Sequence, residues 1–532
     1  MNGVVRNILF KVTILAVSVS VPVLSVCADP QMYNVKVHLH NDGPAAARVR
    51  ILAADSQEYA PEGSAVRKTK AGESYFYADG AFVVSLPPGS ARVVVSGGLE
   101  FIPQTIDLDV TGDREVTVQQ QPWIDMASRG WYSGDSHVHL HTGGRINVTI
   151  GDALVAARAE GVNYVNLCAS NNIGDDIRDA DLITGKPHPS SSGRHLLVFG
   201  EEMRSSIYGH MQFLGISKLV EPQYTGFDST PHSHDFPANF VMAEQAIQQG
   251  GVVTYAHPMF KGQPWPFTDE LTAGTGAARE LPIDAILNMT QAVDVMSYNS
   301  DEEQSAELWY RLLNCGLKLS ACVGTDALLD QSTDPLGGSR VYVKVDGPLT
   351  MKNWLEGLTA GQTFVTNGPM LQLEVEGAQP GATVSADTDK VHVMADVESH
   401  VPFDHVEVVV NGEVLFATSV PENSEETLMH RHRFEIDVPI EQSSWVALRV
   451  RGPSHPLVFD GPVWAHTSPV NILVDKQPIR SADDANLFVE WIDQLLRVVA
   501  ARNRFVSEVD RQQVESRFLE AREAFLLRAQ PQ

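Results

Sequence analysis

Between about Ser128 and Pro369 the chain alternates short apolar, β-prone runs with amphipathic helical ones, and this alternation narrows the possible folds more than any other feature. The apolar runs are VNYVNLCAS, HLLVFGEEM, MQFLGI, GVVTYAHP, VDVMSYNS, KLSACVGTDA and RVYVKV. Between them lie GDALVAARAEG, FVMAEQAIQQGG, ELPIDAILNM, SAELWYRLLNCG and MKNWLEGLTAG, each ending near glycine or carrying an apolar stripe. Continuous apolar strands joined by helices spell an α/β architecture with mostly parallel strands. Seven or so strands with helical crossovers predict a barrel rather than an open sheet.

The residues that close these runs carry the chemistry. They read Asn171-Asn172, Glu201-Glu202, His257-Pro258, Tyr298-Asn299 and Thr325-Asp326. In barrels of parallel strands, active-site residues gather at the C-terminal strand ends. Just upstream, GWYSGDSHVHLHTGG places His137, His139 and His141 at alternate positions. Alternate side chains on a strand share a face, so such a pair chelates a metal where further ligands converge on it. The spacing alone does not decide, because it recurs at His38 and His40, His232 and His234, and His430 and His432. The run of ligand-competent strand ends singles out His137 and His139 as a metal site, with His141 as a neighbour. The other three pairs are not read as metal sites: His38 and His40 lie on the wet face opposite Val37 and Leu39, and His232 and His234 read as a solvated loop pair that could stand in for a missing ligand.

The flanks differ in texture. From Tyr33 to Gln121, runs such as VKVHL, RVRIL, FVVSL and RVVVSG alternate between Gly, Pro and Asp turns, the pattern of a small antiparallel β-sandwich. After Pro369 the runs LQLEVEG, VHVMADV, HVEVVVNGEVL, HRFEIDVPI, WVALRVRG and PVNILV predict a second sandwich, with a hairpin at Asn411-Gly412. From Ser481 two amphipathic helices follow, their aromatic and leucine stripes suited to packing on the body. The division expected is therefore a signal peptide at 1–28, a sandwich at 29–122, the barrel at 123–369, a second sandwich at 370–480 and helices at 481–532.

Arg6 and Lys11 ahead of an apolar run ending Val26-Cys27-Ala28 predict a cleavable secretory leader, hence an exported protein, periplasmic or extracellular, with no stable membrane span after cleavage. Cys168, Cys315 and Cys322 then remain, an odd number that builds no disulfide framework. The formal charge of −27, two units more negative once Arg6 and Lys11 leave, argues against nucleic acid as a partner. A small-molecule, glycan or phosphoester substrate meets a locally positive site if metal ions supply the charge.

The stretch GWYSGDSHVH resembles the opening motif of the PHP (polymerase and histidinol phosphatase) superfamily, and specifically its CehA/McbA family of metallohydrolases. GEEMRSSIYGHMQFLGI, VVTYAHP, VDVMSYNS, VGTDA and RVYVKVDGPLTMKNWLEGLTAGQTFVTNGPML follow in the same order, so the likeness spans roughly Trp123 to Leu371. It implies a distorted seven-stranded barrel of PHP type holding divalent metals. Carried over by position, it makes His137 and His139 ligands, Glu201 or Glu202 a bridging carboxylate, and His210, His257 and Asp326 further ligands. Asp135 is then the acceptor that orients a ligating imidazole. Where the family commonly carries histidine, this chain has Asn171-Asn172 and Leu328. One or two ions, zinc, manganese or iron, are thus expected instead of three.

The chemistry follows from the residues. A divalent ion brings the pKa of bound water from near 15.7 toward ~7. Asp326 or the free carboxylate of Glu201-Glu202 is placed to serve as general base, His210 or His257 as general acid, and Arg340 to face substrate. The expected activity is hydrolysis of an ester-type bond, a phosphoester or a carbamate or carboxylic ester. The competing reading is a degenerate metal-binding barrel whose sandwiches bind carbohydrate or protein at the cell envelope.

Overall fold

The computed structural model describes residues 31–169, 176–262, 277–386, 389–419 and 429–530. The proposed leader and Asn171-Asn172 lie outside the described residues.

At the N-terminal side, Tyr33–His40 pairs with Ala81–Leu86 and Arg114–Gln119 in one sheet. It faces a sheet containing Ala46–Ala53, Gly89–Ser96 and Gln104–Val110. Alternation turns Val35, Val37, Leu39, Val49, Ile51 and Val93 into the core between the sheets. His38 points outward, its Nε2 3.0 Å from Glu115. The pairing is not wholly antiparallel: Tyr33–His40 runs parallel to Arg114–Gln119. The chain passes through the other sheet before it returns, and parallel neighbours require such a crossover.

The central region is mixed α/β. Its strands are β1 (Trp131–His139), β2 (Tyr164–Ala169), β3 (Leu196–Ser205), β4 (Gly209–Leu214), β5 (Val252–Tyr255), β6 (Ala292–Met296) and β7 (Ser320–Val323). Its helices are α1 (Ile150–Ala159), α2 (Asn239–Gln248), α3 (Leu281–Ile286), α4 (Glu302–Asn314) and α5 (Met351–Thr359), each overlapping a segment read as helical from sequence, with α1, α2 and α4 beginning one to three residues earlier. Strands β1, β2 and β3 pair in parallel, as do β5, β6 and β7. Strand β4 interrupts them, antiparallel to both β3 and β5. The link from Ser205 to Gly209 is too short for a crossover, so the apolar run MQFLGI comes back as a hairpin.

Beyond β7 the chain returns to β1. Asp326 N donates to His137 O at 2.8 Å, Ala327–Leu328 pairs beside Val138–His139, and β8 (Arg340–Lys344) runs antiparallel to β1. Trp354 of α5 stacks on Tyr164 with ring centroids 4.0 Å apart, and it fits because residue 134 is glycine: a Cβ there would lie 2.2 Å from the indole.

Strand β9 (Thr363–Thr366) pairs with Pro462–Thr467, so the C-terminal strands continue the hydrogen-bonded sheet of the central region. A second sheet of Met370–Val375, Lys390–Ser399 and His430–Pro439 faces them across a valine-rich core. Helices α6 (Ala482–Arg502) and α7 (Glu508–Ala529) follow, with the Ser481 side chain accepting from Asp484 N at the start of α6. Phe488, Ile492, Phe518 and Phe525 are buried, and Trp491 Nε1 donates to Arg279 O at 2.8 Å. No helix among the described residues is long and apolar enough to cross a membrane.

Candidate metal centre

The two-residue period of β1 turns His137 and His139 to one side, where both are buried and their Nε2 atoms lie 3.0 Å apart. Glu202, near the end of β3, places Oε2 3.5 Å from His137 Nε2 and 3.2 Å from His139 Nε2. Asp326, just past β7, places Oδ1 3.5 and 3.4 Å from the same two nitrogens. The other oxygen of Glu202 serves a second group: Oε1 is 3.0 Å from His210 Nδ1 on β4 and 3.8 Å from His257 Nε2 after β5. Glu202 thus joins two groups of three or more possible ligands.

Two members of the cluster carry strained backbone. His257 has φ +28° and Asp326 φ +60°, in the left-handed region that side-chain-bearing residues seldom occupy. Such strain, about 1–3 kcal/mol per residue, persists where surrounding structure imposes it and concentrates at functional sites. Asp326 is held by its backbone bond to His137 and by Asn299 Nδ2, which donates to Oδ2 at 2.9 Å and leaves Oδ1 to the imidazoles.

Neighbouring groups orient the rings. His139 Nδ1 lies 3.2 Å from Cys168 O and donates to it, which leaves the Nε2 lone pair turned into the cluster. His137 Nδ1 lies 3.0 Å from the Gln212 amide, which is also 2.7 Å from Asp294. Asp135 does not take the orienting role expected of it. Its carboxylate accepts from the backbone N–H groups of His137, Thr325 and Gly337 and from the Thr325 hydroxyl, and so fixes β1 to the segment after β7.

Burial and charge oppose each other here. Burial alone lowers the pKa of His137, but Asp326 and Glu202 outweigh it and bring the ring up to about 9. His139 is raised by the same two carboxylates against the same burial. Burial would push Glu202 up, yet Arg204 and the imidazoles hold it well below the usual carboxylate range. Arg204 Nε and Nη2 reach Glu202 Oε2 at 2.7 and 2.5 Å. Burial carries His210 down to about 4 despite Glu202, so its ring is neutral near pH 7.

This donor set suits a divalent cation. Two imidazole nitrogens face one another with carboxylate oxygens beside both, an arrangement that calls for positive charge between them. His210 Nε2 and His257 Nδ1 are buried without a hydrogen-bond partner among the described residues. Mixed imidazole and carboxylate ligands accommodate zinc, manganese or iron.

Several residues singled out from sequence lie elsewhere. Glu201 faces the opposite side of β3, where Oε2 accepts from Val220 N at 2.7 Å and burial raises its pKa well above the usual range. Arg340 is buried at the start of β8, its Nε bonding Gly337 O at 2.6 Å. His141 pairs with Asp179 at 2.7 Å, His232 is exposed on a loop, and Leu328 pairs with His139 in the ladder. Arg204, Gln212 and Asp294 escaped the sequence reading. Arg204 and Gln212 follow Glu202 and His210 by two residues and so share their strand faces, and Asp294 is an acid inside an apolar run.

No protein-family model and no curated protein matches this sequence. Among solved structures, PsfC from Pseudomonas syringae PB-5123 aligns with 44% of this chain and 90% of its own at 16% identity and a TM-score of 0.30. The lesion-specific endonuclease PfuEndoQ from Pyrococcus furiosus aligns with 43% of this chain and 56% of its own at 15% identity and a TM-score of 0.26. The functional reading therefore rests on the geometry of the cluster.

Proposed function

We propose that this protein is a metal-dependent hydrolase of the CehA/McbA type that acts on an ester-type bond of a small-molecule, glycan or phosphoester substrate, and that it works outside the cytoplasm. The observation that carries the reading is the convergence of His137, His139, Glu202, His210, His257 and Asp326 from separate strands onto one buried cluster. His137, His139, Glu202 and Asp326 would hold one ion, and Glu202, His210 and His257 a second. A divalent ion bound there would supply acidified water and polarise the scissile group.

The chain's own residues do the rest. Asp326, kept ionised beside the imidazoles and positioned by Asn299, is placed to take a proton from the attacking water. Neutral His210 is placed to exchange a proton at the leaving-group oxygen where it is not engaged as a ligand. Arg204, anchored on Glu202, adds a fixed positive charge beside the cluster. The acidic chain favours a compact substrate over a polyanion.

The test is hydrolysis of p-nitrophenyl phosphate, bis-p-nitrophenyl phosphate, p-nitrophenyl acetate and a naphthyl carbamate by protein stripped with chelator and reloaded with zinc, manganese or iron. Metal-restored turnover of at least one ester supports the proposal. Metal-loaded protein inert toward all four favours the second reading, a binding module on a degenerate barrel, for which the apolar Leu328 beside His139 speaks.

A further inference from the structure

The Gln212 amide is fully buried between a candidate metal ligand and a buried acid. Its nitrogen end lies 3.0 Å from His137 Nδ1 and 2.7 Å from Asp294 Oδ2, and its oxygen has no hydrogen-bond partner among the described residues. Asp294 is held in turn by the hydroxyls of Ser136 and Thr254, at 3.2 and 3.3 Å on Oδ1. Residue 324 must be glycine for these groups to meet: a Cβ there would lie 2.4 Å from His137 Cβ and 2.5 Å from Asp294 Oδ2.

A ring that offers Nε2 to a cation carries its hydrogen on Nδ1, and that N–H needs an acceptor. An amide nitrogen facing Nδ1 supplies only donors. A half-turn of the amide exchanges two ends of the same shape and puts the unpartnered oxygen in that place. The Asp294 oxygen facing it must then donate, which an acid or an amide at position 294 can do and a carboxylate cannot. Burial, which pushes Asp294 up to about 6, acts in the same direction.

We propose that Gln212, anchored by Asp294, is a positioning residue for the metal centre: its amide oxygen accepts from His137 Nδ1 and so commits Nε2 to the ion. The inference rests on the metal-centre reading above and adds to it the residues that set the ring's tautomer.

The experiment is zinc affinity by chelator competition in the full chain, paired with long-range 15N–1H spectra of the His137 ring in the zinc-loaded protein. Gln212→Leu, which fills the space without an acceptor, is expected to weaken zinc about 10–100-fold and to blur the single Nδ1–H signature. Asp294→Asn, able to donate to the same oxygen, is expected to match or exceed the parent. The double variant Gln212→Glu with Asp294→Asn again gives His137 an acceptor and should also retain zinc, a result that a role in filling space does not predict. Gln212→Leu binding zinc like the parent, or Asp294→Asn binding as weakly as Gln212→Leu, overturns the inference and leaves the metal centre standing. A parent chain that binds no zinc overturns both.

Discussion

Replacing Glu202 by glutamine keeps the shape of the side chain and removes the one charge shared by both halves of the cluster. In the metal-free protein Glu202 is 2% exposed and faces Arg204 through Oε2 and four imidazoles through both oxygens. Breaking a buried ion pair from one side costs about 3–5 kcal/mol. Arg204 retains 20% exposure and the imidazoles can shed their protons, so the lower end, about 3 kcal/mol, applies. At about 2–4 °C per kcal/mol for a domain of this size, the chelated variant should melt about 6–12 °C below the parent. Because both ligand groups lose the carboxylate charge they share, and one of them loses its oxygen as well, metal content should fall too. Near-ultraviolet circular dichroism melts of chelated protein at pH 7, with elemental analysis after reloading, measure both. Glu202→Gln with Arg204→Met, which removes both charges, should recover part of the melting temperature and none of the metal. A variant that melts within about 2 °C of the parent and keeps its full metal content refutes this reasoning.

Other outcomes follow from the same geometry. Glu201→Gln should leave metal content and melting temperature nearly unchanged, since Glu201 faces away from the cluster and burial favours its uncharged form; loss of metal in this variant contradicts its placement. His137 holds its proton up to about 9, so an entering ion displaces it, and affinity should rise about tenfold per pH unit between pH 6 and 8; calorimetric titration with zinc at three pH values tests the slope, and a flat response opposes it. Asp284, hydrogen-bonded by Tyr255, is pushed up to about 7 by burial. Its contribution to stability is present below about pH 4 and lost as pH rises through 7, so Asp284→Asn should melt higher than the parent at pH 8, with the gap narrowing at pH 5 and closing near pH 4.

The apolar runs and helix stripes located nearly all the central elements, because burial on both faces leaves a continuous signal that local sequence carries. Strand direction was less legible. Whether MQFLGI runs with or against its neighbours depends on the short link through Ser206 and Tyr208, and an apolar run reads the same either way. At the site, strand-end position led to Glu201-Glu202, His257 and Asp326 and so singled out the pair His137 and His139, while the likeness to CehA/McbA proteins added His210. The choice between Glu201 and Glu202 waited on the pleat of β3. The supporting groups stayed hidden for a related reason: Gln212 and Asp294 meet His137 only across three strands, and Arg204 reads as an ordinary surface arginine until Glu202 is seen beside it.

The central claim is that the cluster binds divalent metal, and elemental analysis of the purified chain tests it most directly, beside His137→Ala and Asp326→Ala. The account predicts one or two equivalents of zinc, manganese or iron in the parent and a loss of metal in both variants, although these residues come from β1 and from the segment after β7. A folded parent that retains no metal after exposure to all three ions, or variants that retain as much as the parent, contradicts it.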